Sequence, residues 1–150
     1  MESASKEGVI LNNSSFVPQV KFKRCPIMTS LGVLGRKWTM LIIREIGFKK
    51  IDRFNRLAES IPGISPRVLA MRLKELKKEE FIESVTEKTS PKILRWRLTE
   101  KGKDTLPILM RFVAFGSKWY PEVVFEDKKR RTLKEVYPQA EIDRITVAYA

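Results

Sequence analysis

The chain has a single cysteine and no histidine, and these two shortages exclude several kinds of site. One cysteine cannot build an intramolecular disulfide framework, and without histidine there is neither a His-dependent catalytic triad nor an ordinary zinc-ligand cluster. Glu75, Glu79 and Glu80 offer carboxylates, but no nucleophile or glycine-rich phosphate loop accompanies them. We therefore expect a protein that is not an enzyme and uses no metal and no cofactor.

Long apolar runs are also missing. No stretch approaches the roughly 20 apolar residues of a membrane-spanning helix, and the N-terminus lacks the positive start and apolar core of a signal peptide. We expect a cytoplasmic protein with no membrane span. Positive charge is in excess, because 30 Lys and Arg stand against 18 Asp and Glu and give a net charge of +12. This charge favours an anionic partner, with nucleic acid as the first candidate and a membrane surface as the second.

The 150 residues predict one ordinary domain with terminal extensions, and a hydrophobic content of 43% argues against wholesale disorder. Residues 1–22 form a polar N-terminal arm, in which Val9 to Leu11 either form a short strand or pack on a partner. Residues 23–120 form the central domain. Residues 121–150 form a basic C-terminal extension, with a short terminal helix over 141–150. Its basic run, residues 128–131, either touches flanking phosphates or is simply solvated.

The most informative segment runs from Ile61 to Leu98. Ser65 is a good N-cap and Pro66 suits the first helical position, so the pattern predicts a helix over 65–78. At 100° per residue, three leucines at positions 69, 73 and 76 share one stripe. The opposite side carries Arg67, Met71, Lys74 and Lys78, with Arg72 on a flank. By itself this face is either a DNA-binding surface or an ordinary solvated helix face.

A hairpin follows this helix. Phe81 to Glu87 and Ile93 to Leu98 are β-prone runs, and the segment between them contains a proline and a serine typical of a turn. In the second run apolar residues alternate with Ile93, Arg95 and Arg97, so one face is mainly basic. Lys88 and Lys92 lie near the tip, where they either contact DNA backbone or protect the strand edge from aggregation. The hairpin is therefore a candidate wing.

Three helices are predicted before this segment. The first begins at Pro26 and is interrupted near Gly32 or Gly35; the second, 37–46, is buried and has Trp38 in the core. The third spans 53–61 with Asp52 as its cap, and Pro62-Gly63 is the turn. Helix, turn and helix in series make a helix-turn-helix, so the fold class is mainly α with a small β-hairpin wing.

After the hairpin, Thr99 is expected to cap a long helix from Glu100 to about Trp119. Pro107 lies inside this pattern and predicts a kink or a delayed start near Lys103. The helix is apolar over more surface than one small domain needs to cover. It is therefore either a dimerisation helix or a helix packed on the domain's own core.

Two layers of DNA contact follow from this arrangement. Arg67 and Met71, with Arg72 or Lys74, would approach base edges, while a second set would mainly meet phosphates. The helix over 65–78 is the expected recognition helix, and Ser65 at its start and Lys78 at its end belong to the expected DNA-binding set. The expected phosphate and wing contacts are Lys49, Lys50, Arg53, Arg56, Lys78, Lys88, Lys92 and Arg95.

Several motifs together resemble the HxlR-type winged-helix transcriptional regulators, relatives of the MarR group. The resemblance extends from Arg24 to Lys118. It implies a homodimer whose two recognition helices enter successive major grooves of a pseudo-palindromic operator, with the first and last helices at the interface. The motifs are Cys25-Pro26, Gly35 to Trp38, Arg53 to Leu57, Ile61 to Ser65, Leu69 to Leu76 and Leu98 to Gly102. The expected dimer contacts are Ile27, Leu31, Leu106, Leu109, Phe112, Val113 and Phe115.

The chain departs from the family pattern at three positions. Glu80 stands where glycine commonly closes the recognition helix, which weakens the expectation of a left-handed cap there. Trp96 replaces the usual tyrosine of the second wing strand, and Phe115 stands where tryptophan is common. None of these changes removes a DNA-facing group.

Cys25 is a candidate redox sensor. Some members of the family use the cysteine before the first helix in this way, and here Lys23, Arg24 and a helix N-terminus provide the setting in which reactive cysteines occur. The alternative is that Cys25 simply packs, since free cysteine is often buried.

Other functions stay open at this point. A winged helix can also serve as a protein-protein interaction module, and the basic surface can bind nucleic acid without sequence preference. RNA is disfavoured because the narrow major groove of A-form RNA excludes a recognition helix. The residues favour double-stranded DNA and a second copy of the chain as partners.

Overall fold

The computed structural model describes residues 15–146 and is mainly helical with one two-stranded hairpin. The first four helices lead to the hairpin, strands β1 and β2 pair antiparallel, and five further helices follow. The helices are α1 (Pro26–Leu34), α2 (Thr39–Gly47), α3 (Phe54–Ser60), α4 (Pro66–Lys78), α5 (Glu100–Lys103), α6 (Leu106–Trp119), α7 (Pro121–Val124), α8 (Leu133–Val136) and α9 (Gln139–Thr146), and the strands are β1 (Ile82–Glu87) and β2 (Ile93–Leu98).

One core joins the helix-turn-helix to the hairpin and to α6. Helix α2 contributes Ile42 and Ile43, which are fully buried, and α3 contributes Leu57. Helix α4 adds its leucine stripe, and Leu109 reaches the same cluster from α6. The predicted mainly helical winged fold is thus confirmed.

Backbone conformation fixes the end of α1 and the start of α2, and the sequence predicts the first of these boundaries better than the second. Helix α1 passes through Gly32 and ends with Gly35 as its C-cap. Helix α2 begins at Thr39, not at Lys37, because Trp38 adopts a left-handed conformation with φ of 77° and cannot belong to the helix.

The cap of α3 differs from the prediction. Arg53, not Asp52, is the N-cap residue, and no side chain caps this helix. The Asp52 carboxylate instead accepts hydrogen bonds from Arg95 on β2, at 3.1 and 3.2 Å. Asp52 therefore ties the hairpin to the start of α3.

The helix predicted after the hairpin is broken in two. Thr99 caps α5 as expected, since its hydroxyl accepts a hydrogen bond from the Gly102 N–H at 3.1 Å. The Thr105 hydroxyl then donates to the Gly102 carbonyl at 2.6 Å, and Pro107, in the first turn of α6, has no N–H to continue the ladder. A new helix starts at Leu106, three residues after the delayed start predicted near Lys103, and Pro107 lies in its first turn.

The C-terminal segment packs back on the domain. Helices α8 and α9 both contact α6, and the Tyr137 ring lies 6.2 Å from that of Phe48. The predicted terminal helix is present as α9, but it begins at Gln139. Residues 147–150, and residues 9–11 of the arm, lie outside the described residues. Within 15–146, no helix is long and apolar enough to cross a membrane.

Candidate nucleic-acid interface

Helix α4 has one apolar face buried in the core and one exposed basic face. Its start is fixed because the Ser65 hydroxyl accepts a hydrogen bond from the Val68 N–H at 3.2 Å, and Gly63 before it adopts φ of 84° in the turn. The leucine stripe is buried, with each leucine at most 1% exposed. The opposite face exposes Arg67, Met71, Lys74 and Lys78, the predicted set.

The end of α4 is closed by a complete Schellman motif around Glu80. Glu80 adopts a left-handed conformation with φ of 62°, its N–H bonds to the Lys77 carbonyl at 3.1 Å, and the Phe81 N–H bonds to the Leu76 carbonyl at 2.9 Å. The motif therefore forms although the residue is not glycine.

Residues at the start of α5 hold the same turn. The Thr99 hydroxyl donates to the Glu80 carbonyl at 2.5 Å, and the Lys101 ammonium donates to the Glu79 carbonyl at 2.7 Å. Gly102 leaves room for this contact, since a Cβ there would lie 2.0 Å from the Phe81 carbonyl oxygen. The C-terminus of α4 thus rests on the chain segment that leads to α6.

The hairpin forms from the two predicted runs, and its register places Ile82 opposite Leu98 and Glu87 opposite Ile93. Strand β1 starts one residue after Phe81, which is buried below the α4 turn. Lys88 and Lys92 are exposed at the tip. Neither forms an ion pair within the described part of the chain, so both charges are available to a phosphate.

The candidate phosphate contacts on and near α2 and α3 differ in whether an acid of the protein already pairs with them. Lys50, Arg53 and Arg56 are exposed. Lys49 is exposed too, but its ammonium lies 3.1 Å from Glu45, a fully buried carboxylate that Arg44 also contacts at 2.5 Å. Glu45 was not among the predicted residues, although a lone acid among the apolar residues of α2 indicates a buried ion pair.

Arg95 is held by acids of the protein itself. Its guanidinium lies 2.7 Å from Glu87 and 3.1 Å from Asp52. The hydrogen bonds to Glu87 and then to Asp52 raise the pKa of Arg95 above its usual value. A phosphate would have to compete with two carboxylates for this side chain. Its DNA contact stays a prediction, and the geometry gives it a second task at the base of the hairpin.

Arg72 points toward the connection between α1 and α2. Its Nε donates to the Lys37 carbonyl at 2.9 Å, and its terminal nitrogen lies 2.9 Å from Glu75. The side chain is only 17% exposed. Arg72 therefore differs from Arg67, which is exposed on the same helix. Base contact by Arg72 stays a prediction that this geometry does not favour.

An apolar surface lies on α1 and α6. Helix α1 has no buried residue, and a groove of about 600 Å³ separates it from α6. Of the expected dimer contacts, Ile27, Leu31, Phe112 and Phe115 are exposed. Val113 and Leu106 are half-buried. Leu109 belongs to the hydrophobic core of the chain itself.

Two exposed side chains of α6 extend this surface beyond the predicted set. Ile108 and Trp119 are 37% and 53% exposed. Ile108, Phe112, Phe115 and Trp119 follow one another at intervals of four, three and four residues, the spacing of a coiled-coil seam.

Cys25 is exposed at the N-cap position of α1. Its carbonyl accepts hydrogen bonds from the Thr29 N–H at 3.0 Å and the Thr29 hydroxyl at 2.9 Å. The thiol is thus accessible on the same helix that exposes the apolar surface. No group of three metal-binding side chains occurs between residues 15 and 146.

Comparisons with known proteins agree with this geometry. A sequence model of the HxlR-like helix-turn-helix matches residues 33–124. The HTH-type transcriptional regulator YodB of Bacillus subtilis is 33% identical over 108 residues, which are 70% of this chain and 96% of YodB. The structure of its reduced form matches with a TM-score of 0.55 at 33% identity, covering 64% of this chain and 94% of that chain.

Two further structures show the same fold. A Thermoplasma volcanium GSS1 protein described as a possible HxlR family transcriptional factor has a TM-score of 0.54 at 32% identity, and covers 65% of this chain and 92% of that one. The redox regulator HypR in its oxidised form has a TM-score of 0.54 at 29% identity, and covers 61% and 94%.

Proposed function

Because the chain belongs to the HxlR family of DNA-binding helix-turn-helix transcriptional regulators, we propose that it binds a specific pseudo-palindromic operator as a homodimer. Proteins of this family are regulators and not enzymes. In this proposal α4 enters the major groove and the hairpin touches the flanking backbone. A cytoplasmic location and the division into arm, domain and extension stay predictions.

The observation that carries the proposal is the exposed side of α4. Arg67, Lys74 and Lys78 form no ion pair within residues 15–146, and Met71 between them is 46% exposed. A helix held by a buried leucine stripe can present such side chains rigidly to base edges, where arginine pairs with guanine and an apolar side chain meets the thymine methyl group.

Selection of bound duplexes from a random pool tests this proposal. We expect an inverted repeat with half-site centres roughly 34 to 36 Å apart, one helical turn. The selected duplex should survive an excess of random competitor DNA in a gel shift. If no duplex survives competition, non-specific binding or a protein-protein role of the winged helix is the better description.

Two variants separate base contact from phosphate contact. Arg67→Ala should weaken binding to the selected operator by about 1 to 3 kcal/mol and relax base preference. Lys92→Ala should weaken operator and random DNA alike, and reduce the salt slope by about one unit. Lys134→Ala, an exposed lysine on α8, is the charge-matched control. Equal losses on operator and random DNA for Arg67→Ala would contradict its assignment to bases.

The apolar surface of α1 and α6 supports the homodimer. Exposed apolar patches of this kind mark interaction sites more often than chance. Light scattering should give a mass twice that of the 17.5 kDa chain, and Phe112→Glu should lower it to one chain. Leu94→Glu, which replaces a comparably exposed leucine on the hairpin, is the control. A dimer that withstands Phe112→Glu would place the interface elsewhere.

Redox response through Cys25 is the last part of the proposal. YodB has been described in reduced and diamide-treated forms, and HypR as a redox regulator in an oxidised form. With a single cysteine in the chain, a disulfide would join two subunits or capture a small thiol. Diamide should change operator affinity of the wild type and leave Cys25→Ser unaffected. Unchanged affinity of both proteins would end the sensor hypothesis.

A further inference from the structure

The connection Gly35–Trp38 joins α1, the helix that has no buried residue, to the buried helix α2. Its backbone is constrained: Trp38 adopts φ of 77°, and the Thr39 N–H bonds to the Arg36 carbonyl at 3.2 Å. The Trp38 ring also lies against the turn before α4, since a Cβ on Gly63 would be 3.4 Å from its edge. This short connection therefore touches the helix-turn-helix directly.

Two side chains of α4 extend to the same connection. Arg72 donates to the Lys37 carbonyl at 2.9 Å and contacts the Glu75 carboxylate at 2.9 Å. Glu75 in turn lies 3.3 Å from the Arg36 guanidinium. We call Arg36, Lys37, Arg72 and Glu75 the α1–α4 bridge. It is a continuous polar link between the end of α1 and the middle of α4.

The chemistry of the bridge requires arginine at position 72. A guanidinium donates from Nε and from a terminal nitrogen in fixed, different directions, so that one side chain can hold a backbone carbonyl and a carboxylate together. The ammonium of lysine is a single point charge on a flexible stem and cannot reproduce this fork. Arg72, at the centre of the link, is 17% exposed, whereas Glu75 and Arg36 are 30% and 42% exposed.

We propose that Arg72 and Glu75 are positioning residues that set the orientation of α4 relative to α1, and so the separation of the two α4 helices in the dimer. This inference rests on the proposed function, because it requires a dimer that uses α1 and DNA that meets α4. It makes Arg72 a determinant of half-site spacing and leaves base preference to the exposed face of α4.

Half-site spacing is a demanding requirement. Adding one base pair moves a half-site by about 3.4 Å along the duplex and rotates it by about 34°, so a rigid dimer cannot follow it without bending the DNA or itself. A looser link between α1 and α4 would let the dimer accommodate the change. Loss of the bridge should therefore appear as tolerance of altered spacing.

The test measures affinity for operators with spacers changed by one and two base pairs in either direction, and for an isolated half-site, all at one salt concentration. The probes are the selected operator and its spacer variants. The proteins are the wild type, Arg72→Met, Glu75→Gln and the control Lys134→Met, which removes an exposed lysine on α8, outside the proposed DNA contacts. Methionine retains much of the apolar stem of arginine and removes only the polar fork.

We expect the wild type and Lys134→Met to bind operators of altered spacing at least tenfold more weakly than the correct one. Arg72→Met should reduce this ratio to threefold or less, with base preference and affinity for the isolated half-site changed less than threefold. Glu75→Gln, a conservative change of a half-buried acid, should shift the ratio in the same direction. It provides the test if circular dichroism shows that Arg72→Met is unfolded.

Two results would overturn the inference. Full spacing discrimination in both bridge variants would show that the bridge does not position α4, and altered base preference in Arg72→Met would show that Arg72 contacts bases. A wild type that binds no duplex specifically would instead refute the proposed function on which the inference rests.

Discussion

Replacing Glu80 by glycine should stabilise the protein, because this residue holds a conformation that suits glycine. Glu80 has φ of 62° and is the left-handed residue of the Schellman motif that ends α4. A non-glycine residue in this region costs about 1 to 2 kcal/mol. Glycine offsets about 0.5 to 1 kcal/mol of this gain, because it has more conformational freedom in the unfolded chain and loses more of it on folding. The net gain expected for Glu80→Gly is therefore about 0.5 to 1 kcal/mol.

The comparison with alanine removes the effect of charge. Glu80→Ala and Glu80→Gly delete the same carboxylate, so their difference reports the backbone term alone. The neighbouring residue Glu79 has φ of −83°, where alanine is comfortable, and Glu79→Gly should be less stable than Glu79→Ala by about 0.5 to 1 kcal/mol. The two adjacent positions are thus expected to respond to glycine with opposite signs.

Urea unfolding followed by circular dichroism measures both differences, and thermal unfolding should show midpoints separated by about 1 to 4 °C for a chain of this size. The m-value should be the same in all four variants, since the native fold is retained. If Glu80→Gly and Glu80→Ala are equally stable, or if the alanine variant is the more stable one at both position 79 and position 80, the left-handed conformation at the end of α4 is not a source of strain. Either result would refute the reasoning.

Three further outcomes follow from contacts already described. Gly102→Ala should lower the free energy of unfolding by about 1 to 3 kcal/mol in urea, because its Cβ would lie 2.0 Å from the Phe81 carbonyl oxygen. Ser65→Ala should cost about 1 kcal/mol in the same assay, since it leaves an N–H of the first turn of α4 without its cap. The pKa of Asp127 is lowered to about 2, mainly by hydrogen bonds from Arg131, so the pair stabilises the fold above about pH 4 and is lost toward pH 2. The protection factors against hydrogen exchange near residue 127, which correct for the pH dependence of intrinsic exchange, should fall over that interval in the wild type and already be low at pH 7 in Asp127→Asn.

Features encoded by neighbours in sequence could be predicted. Ser65 followed by Pro66 marked the start of α4 to the residue, and alternation in the second strand gave the bounds of β2. Pro107 likewise marked an interruption of the helix, although α6 starts at Leu106 and not near Lys103. In each case the signal and its structural effect lie within one turn or one strand, so no knowledge of the tertiary fold was needed.

Features that depend on distant partners could not be predicted. Asp52 is of a residue type that commonly caps helices, but its carboxylate accepts a hydrogen bond from Arg95, 43 residues away. A helical wheel places Arg72 on a flank of α4 and does not show that a backbone carbonyl 35 residues earlier lies within reach. The apolar residues of α6 surround the helix, so the pattern cannot separate Leu109, in the core, from Phe112, on the surface.

The basic residues of α4 and the hairpin therefore fall into two groups, those that pair with a carboxylate of the protein and those that do not. Whether a residue is lysine or arginine does not decide its group. Arg72 and Arg95 each lie beside carboxylates that are themselves half-buried, and a phosphate would have to displace those partners at a desolvation cost. Arg67 and Lys92 have no such competitor in the described part of the chain, so each can neutralise a phosphate directly and release the counterions condensed on the DNA. Under the proposed function, arginine thus stiffens the fold at positions 72 and 95 and contributes DNA affinity at position 67, and this separation of roles depends on the positions of Glu75 and Glu87.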